Sequence, residues 1–519
     1  MRHHISVSAL LLTALVFIAA SARADTITAT ADLFRDGDRW AVVGDSVTQN
    51  GYYHTWIAAY YATRFPDRTI DIYNCGISGD SAAGALRRYD WDIVSDTKKP
   101  TVATIMMGMN DVSRSLYAPL PPPADPNTPD TEPAPGIAKR RADALAAYRK
   151  NMTQLIARLQ ADGARVQLLT PSIYDETMKS DRPNLPGVNS LALADCAQFA
   201  RDTAAASNGR IGLIEIHHPM TALNAKLQQA DPAFTLIGPD RVHPRQAGHL
   251  VMAYYFLKSQ GAPAEISHVA IDASPASSAP RITETRNATV TDLTHTTTTA
   301  GDGLEQNATL TFTVNAAALP CPIEKNATPA LDYVPFTDDL NRETLVITGL
   351  APGSHTLTID NQTIGTWTAA QLAAGINLAT RPDTPQAKQS AAVLELVMQW
   401  RALVAHADRG VAQAEHWQLK DVPHPVSFDA VRPQLEALVE KWTGSDNRMD
   451  NYNRGIVQRY LKVKPTETAS QQRIRELVTK IRDTARPRPH VYTLTPRAQL
   501  TCPVVRSLSP NRSVQVESS

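Results

Sequence analysis

Between residues 38 and 260 short apolar runs alternate with stretches of helical periodicity, and this alternation restricts the possible folds more than any other feature of the chain. The runs are Trp40–Val43, Ile70–Asn74, Thr101–Met107, Val166–Thr170 and Ile211–Ile216. They have the length of strands, and Trp40–Val43 is apolar throughout, as a strand covered on both faces requires. Between them lie helical patterns such as Tyr52–Phe65 and Ala138–Leu159. In the latter, Leu145, Tyr148, Met152, Leu155, Ile156 and Leu159 recur at helical spacing. Strands and helices in alternation predict a parallel sheet flanked by helices.

That unit is too small to account for 519 residues, a length that implies two to four domains. After Ala262 the texture changes. Residues 263–380 are rich in Thr, Val and Asn with period-two runs such as Thr309–Val314, and read as a β-rich accessory domain, a small sandwich. Leu345–Ile347 and Thr356–Asp360, separated by a Gly349–Gly353 turn, read as a β-hairpin. Ala273–Ala279 has the composition of a linker. Residues 381–486 read as helical: Thr384-Pro385 is a cap followed by an N1 proline, and Val393, Leu394, Leu396, Val397 and Trp400 follow periodically. Further helices are expected over Val431–Trp442 and Ser470–Thr484. Residues 487–519 are polar with Pro and Arg, and read as a poorly ordered tail. Pro119–Pro135 reads as an exposed, extended loop.

At the other end, Arg2 precedes an apolar run from Val7 to Ala20, and Ala22-Arg23-Ala24 has the form of a signal-peptidase site. Residues 1–24 are therefore expected to be a cleaved signal peptide. The α/β unit is then expected to span 25–262, and the protein to be exported, periplasmic or secreted, with no integral membrane segment after cleavage. Lys plus Arg and Asp plus Glu both number 51, a balance that speaks against nucleic acid as a partner. Cys75, Cys196, Cys321 and Cys502 form no cluster of the zinc-binding kind. Cys321 and Cys502 are conceivable disulfide partners, although spacing does not fix a pairing. Asn287, Asn307 and Asn361 stand in glycosylation triplets, which matter only in a glycosylating host.

Four short segments carry chemistry. Gly44-Asp45-Ser46 lies between the first strand and a helix, which puts a serine at the mouth of the sheet. Asn74-Cys75-Gly76-Ile77-Ser78-Gly79 follows the second strand and Gly108-Met109-Asn110-Asp111 the third, so both share an edge with Ser46. A glycine amide and an Asn amide near a nucleophile are what an oxyanion hole requires. Alternatively, Gly76 and Gly79 serve a tight turn and Asn110 caps a helix. The fourth segment, Asp240-Arg241-Val242-His243-Pro244, lets a carboxylate reach imidazole Nδ1 from the same short loop and leaves Nε2 for Ser46. His249 competes for this role but lies within the following helical pattern.

These segments, in this order, resemble the SGNH (GDSL-type) serine hydrolases over residues 38–260. The first motif here reads Gly-Asp-Ser-Val where the family's form has Leu. The resemblance implies a three-layer α/β/α sandwich with a mostly parallel sheet, here followed by the β-rich domain and the C-terminal helices. It implies a triad of Ser46, Asp240 and His243, and an oxyanion hole of the Ser46 amide, Gly76 and Asn110. Asp45, Tyr53 and Asp111 are candidates for substrate contact. No metal and no organic cofactor is called for.

The substrate implied is an ester, with acetyl groups on carbohydrate favoured by the expected export and by polar loops around the site, Gln49–Gly51 and Ser78–Ser81. Burying each methylene of a long acyl chain is worth ~0.8 kcal/mol, and a long-chain enzyme needs an apolar groove to collect it. The C-terminal helices, with Leu394, Val397 and Leu403, are the part of the chain able to supply an apolar wall. Trp367, Trp400, Trp417 and Trp442 offer faces for sugar, although Trp400 and Trp442 sit in helical patterns that suit a core. Two other readings remain: a lipid-type esterase, lysophospholipase or thioesterase, and a glycan-binding protein with a degenerate hydrolase domain.

Overall fold

The computed structural model of the chain describes residues 30–119, 135–274, 279–299 and 306–497. The expected leader at 1–24, most of the proline-rich segment, the middle of the expected 273–279 linker and Cys502 lie outside those residues.

Each of the five apolar runs forms a strand: β1 (Arg39–Gly44), β2 (Asp71–Gly76), β3 (Val102–Met106), β4 (Arg165–Leu169) and β5 (Ile211–Ile214). All pair in parallel, in the order β2-β1-β3-β4-β5. The helices of this unit are α1 (Ser46–Asn50), α2 (Tyr52–Arg64), α3 (Ala82–Arg87), α4 (Pro135–Ala161), α5 (Ala194–Ala206), α6 (His217–Gln228) and α7 (Gln246–Ser259). They cover both faces of the sheet. Trp40 and Val42 pack with Trp56 and Ile57 of α2 and Leu250 and Phe256 of α7. Ala41 and Val43, pointing the other way, pack with Ala85 of α3, Leu155 and Leu159 of α4 and Ala200 of α5. The result is the three-layer α/β/α sandwich. The chain steps outward from β1 to β2 and then crosses back to β3, and such a reversal opens a crevice at the carboxyl ends of β1 and β3.

The β-rich part comprises β6 (Glu265–Asp272), β7 (Arg281–Arg286), β8 (Ala288–Thr299), β9 (Gln306–Ala316), β10 (Arg342–Thr348), β11 (Ser354–Ile359), β12 (Gln362–Thr368) and β13 (Ile376–Asn377). Short helices α8 (Ala330–Tyr333), α9 (Phe336–Leu340) and α10 (Ala369–Ala374) interrupt it. A last strand, β14 (His490–Pro496), joins this part. Two sheets, β13-β10-β6-β7 and β12-β11-β14-β9-β8, enclose a core of Val269, Ile271, Leu345, Ile347, Phe312, Leu357 and Leu494.

Two expectations are corrected. The hairpin over 345–360 does not form, because β10 and β11 belong to different sheets and the chain crosses the sandwich between them. The hairpin is instead β11–β12, closed by Asp360 and Asn361, both at positive φ as a two-residue turn demands. Nor does the tail begin at 487. His490, Tyr492 and Leu494 alternate inward along β14, which pairs with β9 on one side and β11 on the other.

Helices α11 (Pro385–Leu403), α12 (Arg409–Gln418), α13 (Phe428–Trp442), α14 (Arg448–Val463) and α15 (Glu467–Ala485) are thus inserted between two strands of one sandwich. Thr384 caps α11 through the Ala387 N–H, with Pro385 at N1. Val393, Val397 and Trp400 of α11 pack on Ala58 and Ala62 of α2, which brings the insertion onto the hydrolase unit. No helix among the described residues is long and apolar enough to cross a membrane.

Because Leu494 is buried between Leu310 and Leu357, Leu494→Ala should lower stability by about 2–5 kcal/mol in equilibrium denaturation. A change of a few tenths would be that of a residue in a loose tail.

Candidate active site

At the end of β1 the chain turns through Asp45, whose Oδ1 accepts the Val47 N–H at 3.0 Å and so caps α1. Ser46 becomes the first helical residue, at the crevice between β1 and β3. Two glycines let α1 settle on the strand ends. A Cβ on Gly44 would meet Thr48 Oγ1 at 2.1 Å, and one on Gly76 would meet the backbone N of Gln49 at 2.3 Å.

The partners of Ser46 come from the segment before α7. The Gly238 N–H donates to the His243 carbonyl at 2.7 Å, and Ile237 bridges Pro244, closing a tight loop. Buried Arg241 braces it by donating to the carbonyls of Asp175 (2.8 Å) and Met178 (3.0 Å). Asp240 Oδ1 accepts the N–H groups of Val242 and His243, and Oδ2 stands 2.5 Å from His243 Nδ1. His243 Nε2 lies 2.7 Å from Ser46 Oγ. Burial alone would raise the Asp240 carboxyl, but its bonds from His243 and Val242 outweigh this and hold it below the usual carboxylate range. An ionised Asp240 fixes the tautomer with Nδ1 as donor, which leaves Nε2 as the acceptor for the serine proton. The His243 and Asp240 side chains are 43% and 42% exposed, so the site is open rather than sunk in a tunnel.

The structure corrects the glycine of the expected oxyanion hole. The Gly76 N–H is already given to Asn74 Oδ1 at 2.9 Å, and Gly76 serves close packing beneath α1. Three residues on, Gly79 lies in a turn at φ +82°, and its N–H has no partner among the described residues. The signal in the sequence was the Ser-Gly-Asp turn, eclipsed by the nearer glycine. Asn110 does reach this turn: its Nδ2 donates to the Asp80 carbonyl at 2.9 Å and faces Asp45 Oδ2 at 3.5 Å.

Each of the three candidates for substrate contact makes hydrogen bonds within the fold. Asp45 is committed to its cap, and burial pushes its carboxyl up to about 6. Asp111 accepts the N–H groups of Ala82 (2.9 Å) and Gly108 (3.1 Å), tying α3 to the loop after β3, and burial pushes it up to about 7. Tyr53 is buried, with its hydroxyl 3.0 Å from Thr48 Oγ1. His249 is buried against Tyr52 and Tyr53, and neither ring nitrogen has a partner among the described residues.

Helix α12 also reaches the site, across more than 300 residues of sequence. Gln413 Oε1 accepts from Gln49 Nε2 at 3.1 Å, Trp417 Nε1 donates to the Ser78 carbonyl at 3.1 Å, and His416 Nε2 stands 3.2 Å from Asp80 Oδ1, out of line for a hydrogen bond. Of the four tryptophans considered, Trp400 is core and Trp417 borders the site. Leu394 and Val397 pack inward instead of forming an acyl wall.

A serine hydroxyl, an imidazole and a carboxylate in hydrogen-bond sequence, with amide groups at the same strand edge, form the arrangement that a serine hydrolase site requires. Residues 42–251 match the GDSL-like lipase/acylhydrolase family, and the chain belongs to it as an ester-hydrolysing enzyme. A solved gut microbial diltiazem-metabolizing enzyme is 30% identical, aligns with 90% of this chain over its full length, and has a TM-score of 0.75. An acetylxylan esterase of Geobacillus stearothermophilus is 23% identical over 240 residues, 43% of this chain and 94% of that protein. A crystal structure of an acetylxylan esterase from that organism covers 44% of this chain and 95% of its own, with a TM-score of 0.33.

Burial holds the His249 imidazole down at about 3, so in the folded protein it stays neutral while the unfolded chain takes up a proton below pH ~6.5. Stability from this group is full above that pH and is lost as pH falls. Between pH 8 and pH 5 the loss should be about 2 kcal/mol, and His249→Leu should abolish that share of the pH dependence in denaturant melts. An unchanged pH slope would mean that His249 is protonated in the folded state.

Proposed function

We propose that the protein is an exported serine esterase that removes short acyl groups, above all acetyl, from carbohydrate. The observation that carries the catalytic half is the Ser46–His243–Asp240 relay, with contacts of 2.7 and 2.5 Å, at the carboxyl end of β1. His243 Nε2 takes the Ser46 proton as Oγ attacks the ester carbonyl. The oxyanion forms near the N–H groups of Ser46 and Gly79 and the Asn110 amide, each of a kind worth ~10²–10³-fold in kcat. Collapse breaks the bond to the alcohol oxygen, which receives the proton from His243. Water, deprotonated by the same nitrogen, then attacks the acyl-enzyme and releases the carboxylic acid.

The substrate half rests on three supports. A relative is an acetylxylan esterase. The half-exposed histidine and carboxylate suit a small acyl group on a bulky alcohol. The apolar residues of α11 are spent on packing against the hydrolase unit, which leaves polar groups around Ser46. Export is supported by the leader-like pattern of residues 1–24.

Ser46→Ala should lower kcat by on the order of 10⁴-fold or more and end labelling by a fluorophosphonate, with an unchanged melting curve. For the wild type, kcat/KM should fall from p-nitrophenyl acetate to butyrate to octanoate, and acetylated xylan should release acetic acid. An active Ser46→Ala variant would remove the nucleophile assignment. A kcat/KM that rises with chain length would favour a lipid-type ester instead.

A further inference from the structure

We infer that Trp417 is a positioning residue that aims the Gly79 N–H, so that helix α12, far along the chain, completes the oxyanion site. The inference rests on the acyl-transfer reading above and deepens it.

The turn after β2 runs from Ile77 to Asp80, with the Asp80 N–H donating to the Ile77 carbonyl at 3.1 Å. Gly79 is its third residue, at φ +82°. A positive φ at that position marks a type II turn, which differs from type I by a flip of the central peptide, here the group joining Ser78 and Gly79. That peptide is planar and trans, so its carbonyl and N–H point in opposite directions. Whatever holds the Ser78 carbonyl therefore sets the direction of the Gly79 N–H. The group that holds it is the Trp417 indole, whose Nε1 donates to the Ser78 carbonyl at 3.1 Å across 339 residues of sequence.

The other bonds of the turn fix its ends but not this plane. The Ser78 N–H donates to Gln49 Oε1, and the Asp80 carboxylate takes the Arg88 guanidinium at 2.8 Å. The Trp417 ring also lies 3.7 Å from the position of a Cβ on Gly79, close enough to guard the turn against rearrangement. Gly79 has no side chain of its own to resist a flip. Trp417 itself is steadied by His416, whose ring packs edge-on at 4.5 Å, and by the Gln413–Gln49 bond one turn earlier in α12.

Two variants separate donor from bulk. Trp417→Phe keeps a ring and loses the N–H. Trp417→His keeps a donor, because its Nε2 overlays the indole nitrogen, but loses more of the ring. With p-nitrophenyl acetate, Trp417→Phe should lose about 10-fold in kcat, short of the ~10²–10³-fold for a deleted donor, with KM within about two-fold. Its affinity for a boronic acid that forms a tetrahedral adduct at Ser46 should drop by the same factor. Trp417→His should retain more kcat than Trp417→Phe, the reverse of the order expected from packing. Equal losses in the two variants, or a KM effect alone, would overturn the proposal. So would full kcat in Trp417→Phe. If Trp417→Phe does not fold, Trp417→His decides: inhibitor affinity near that of the wild type supports the role and a 10-fold or greater loss opposes it. An active Ser46→Ala variant would instead bring down the acyl-transfer reading itself.

Discussion

A buried knot of charge holds the two halves of the candidate site together. Arg88, fully enclosed, donates to Asp80 at 2.8 Å, to Asp92 at 2.5 Å and to the Gly44 carbonyl at 3.4 Å. Asp92 in turn receives both arms of Arg409 from α12, at 2.8 and 3.0 Å, and Lys98 at 2.9 Å. Burial works against every one of these charges, but the three cations prevail and hold Asp92 well below the usual carboxylate range. None of these groups is tolerable alone in such a place: removing one partner from a buried pair typically costs about 3–5 kcal/mol, because the other charge is stranded. The knot therefore ties the end of β1, the turn after β2 and helix α12 as one unit.

This tie explains why an α/β hydrolase unit carries a helical insertion on its active-site side. The serine, the histidine and the carboxylate come from two loops of one sheet edge. The turn that bears Gly79, in contrast, rests against α12. Helix α12 is itself anchored at both ends of a longer excursion that begins after β13 and must return as β14 to the middle of a sandwich sheet. The diltiazem-metabolizing relative, which aligns with 90% of the chain, shares this larger plan, whereas the acetylxylan esterase relative matches about the length of the hydrolase unit.

Much of the hydrolase unit was legible in the sequence because its determinants are local. Strands buried on both faces are mostly apolar, and β1 announces itself in that way, as do β3 and β4 apart from Thr104 and Gln167. Asp240 and His243 are three residues apart on one loop, so their partnership could be read without knowing the fold. Gly76 and Gly79 were not separable on that basis. One glycine admits the backbone of α1 and the other adopts a left-handed turn, and only the surrounding hydrogen bonds tell them apart. Tyr53 and Asp111, polar and near the motifs, take hydrogen bonds within the fold that nothing local announces. The contacts of Trp417 and Arg409 span more than 300 residues, and β14 hides its alternation behind Arg486–Pro489. Nothing local marks such pairings.

The most direct test of the account is to capture the covalent intermediate. The protein is mixed with p-nitrophenyl acetate, quenched in acid within the first turnovers, digested and mapped by mass spectrometry. The account predicts a single acetyl group on the Ser46 hydroxyl, formed at the rate of the first release of p-nitrophenol and lost at the rate of steady turnover. Acetyl found only on another residue, or rapid first-turnover release from a protein that never carries acetyl at Ser46, would contradict it.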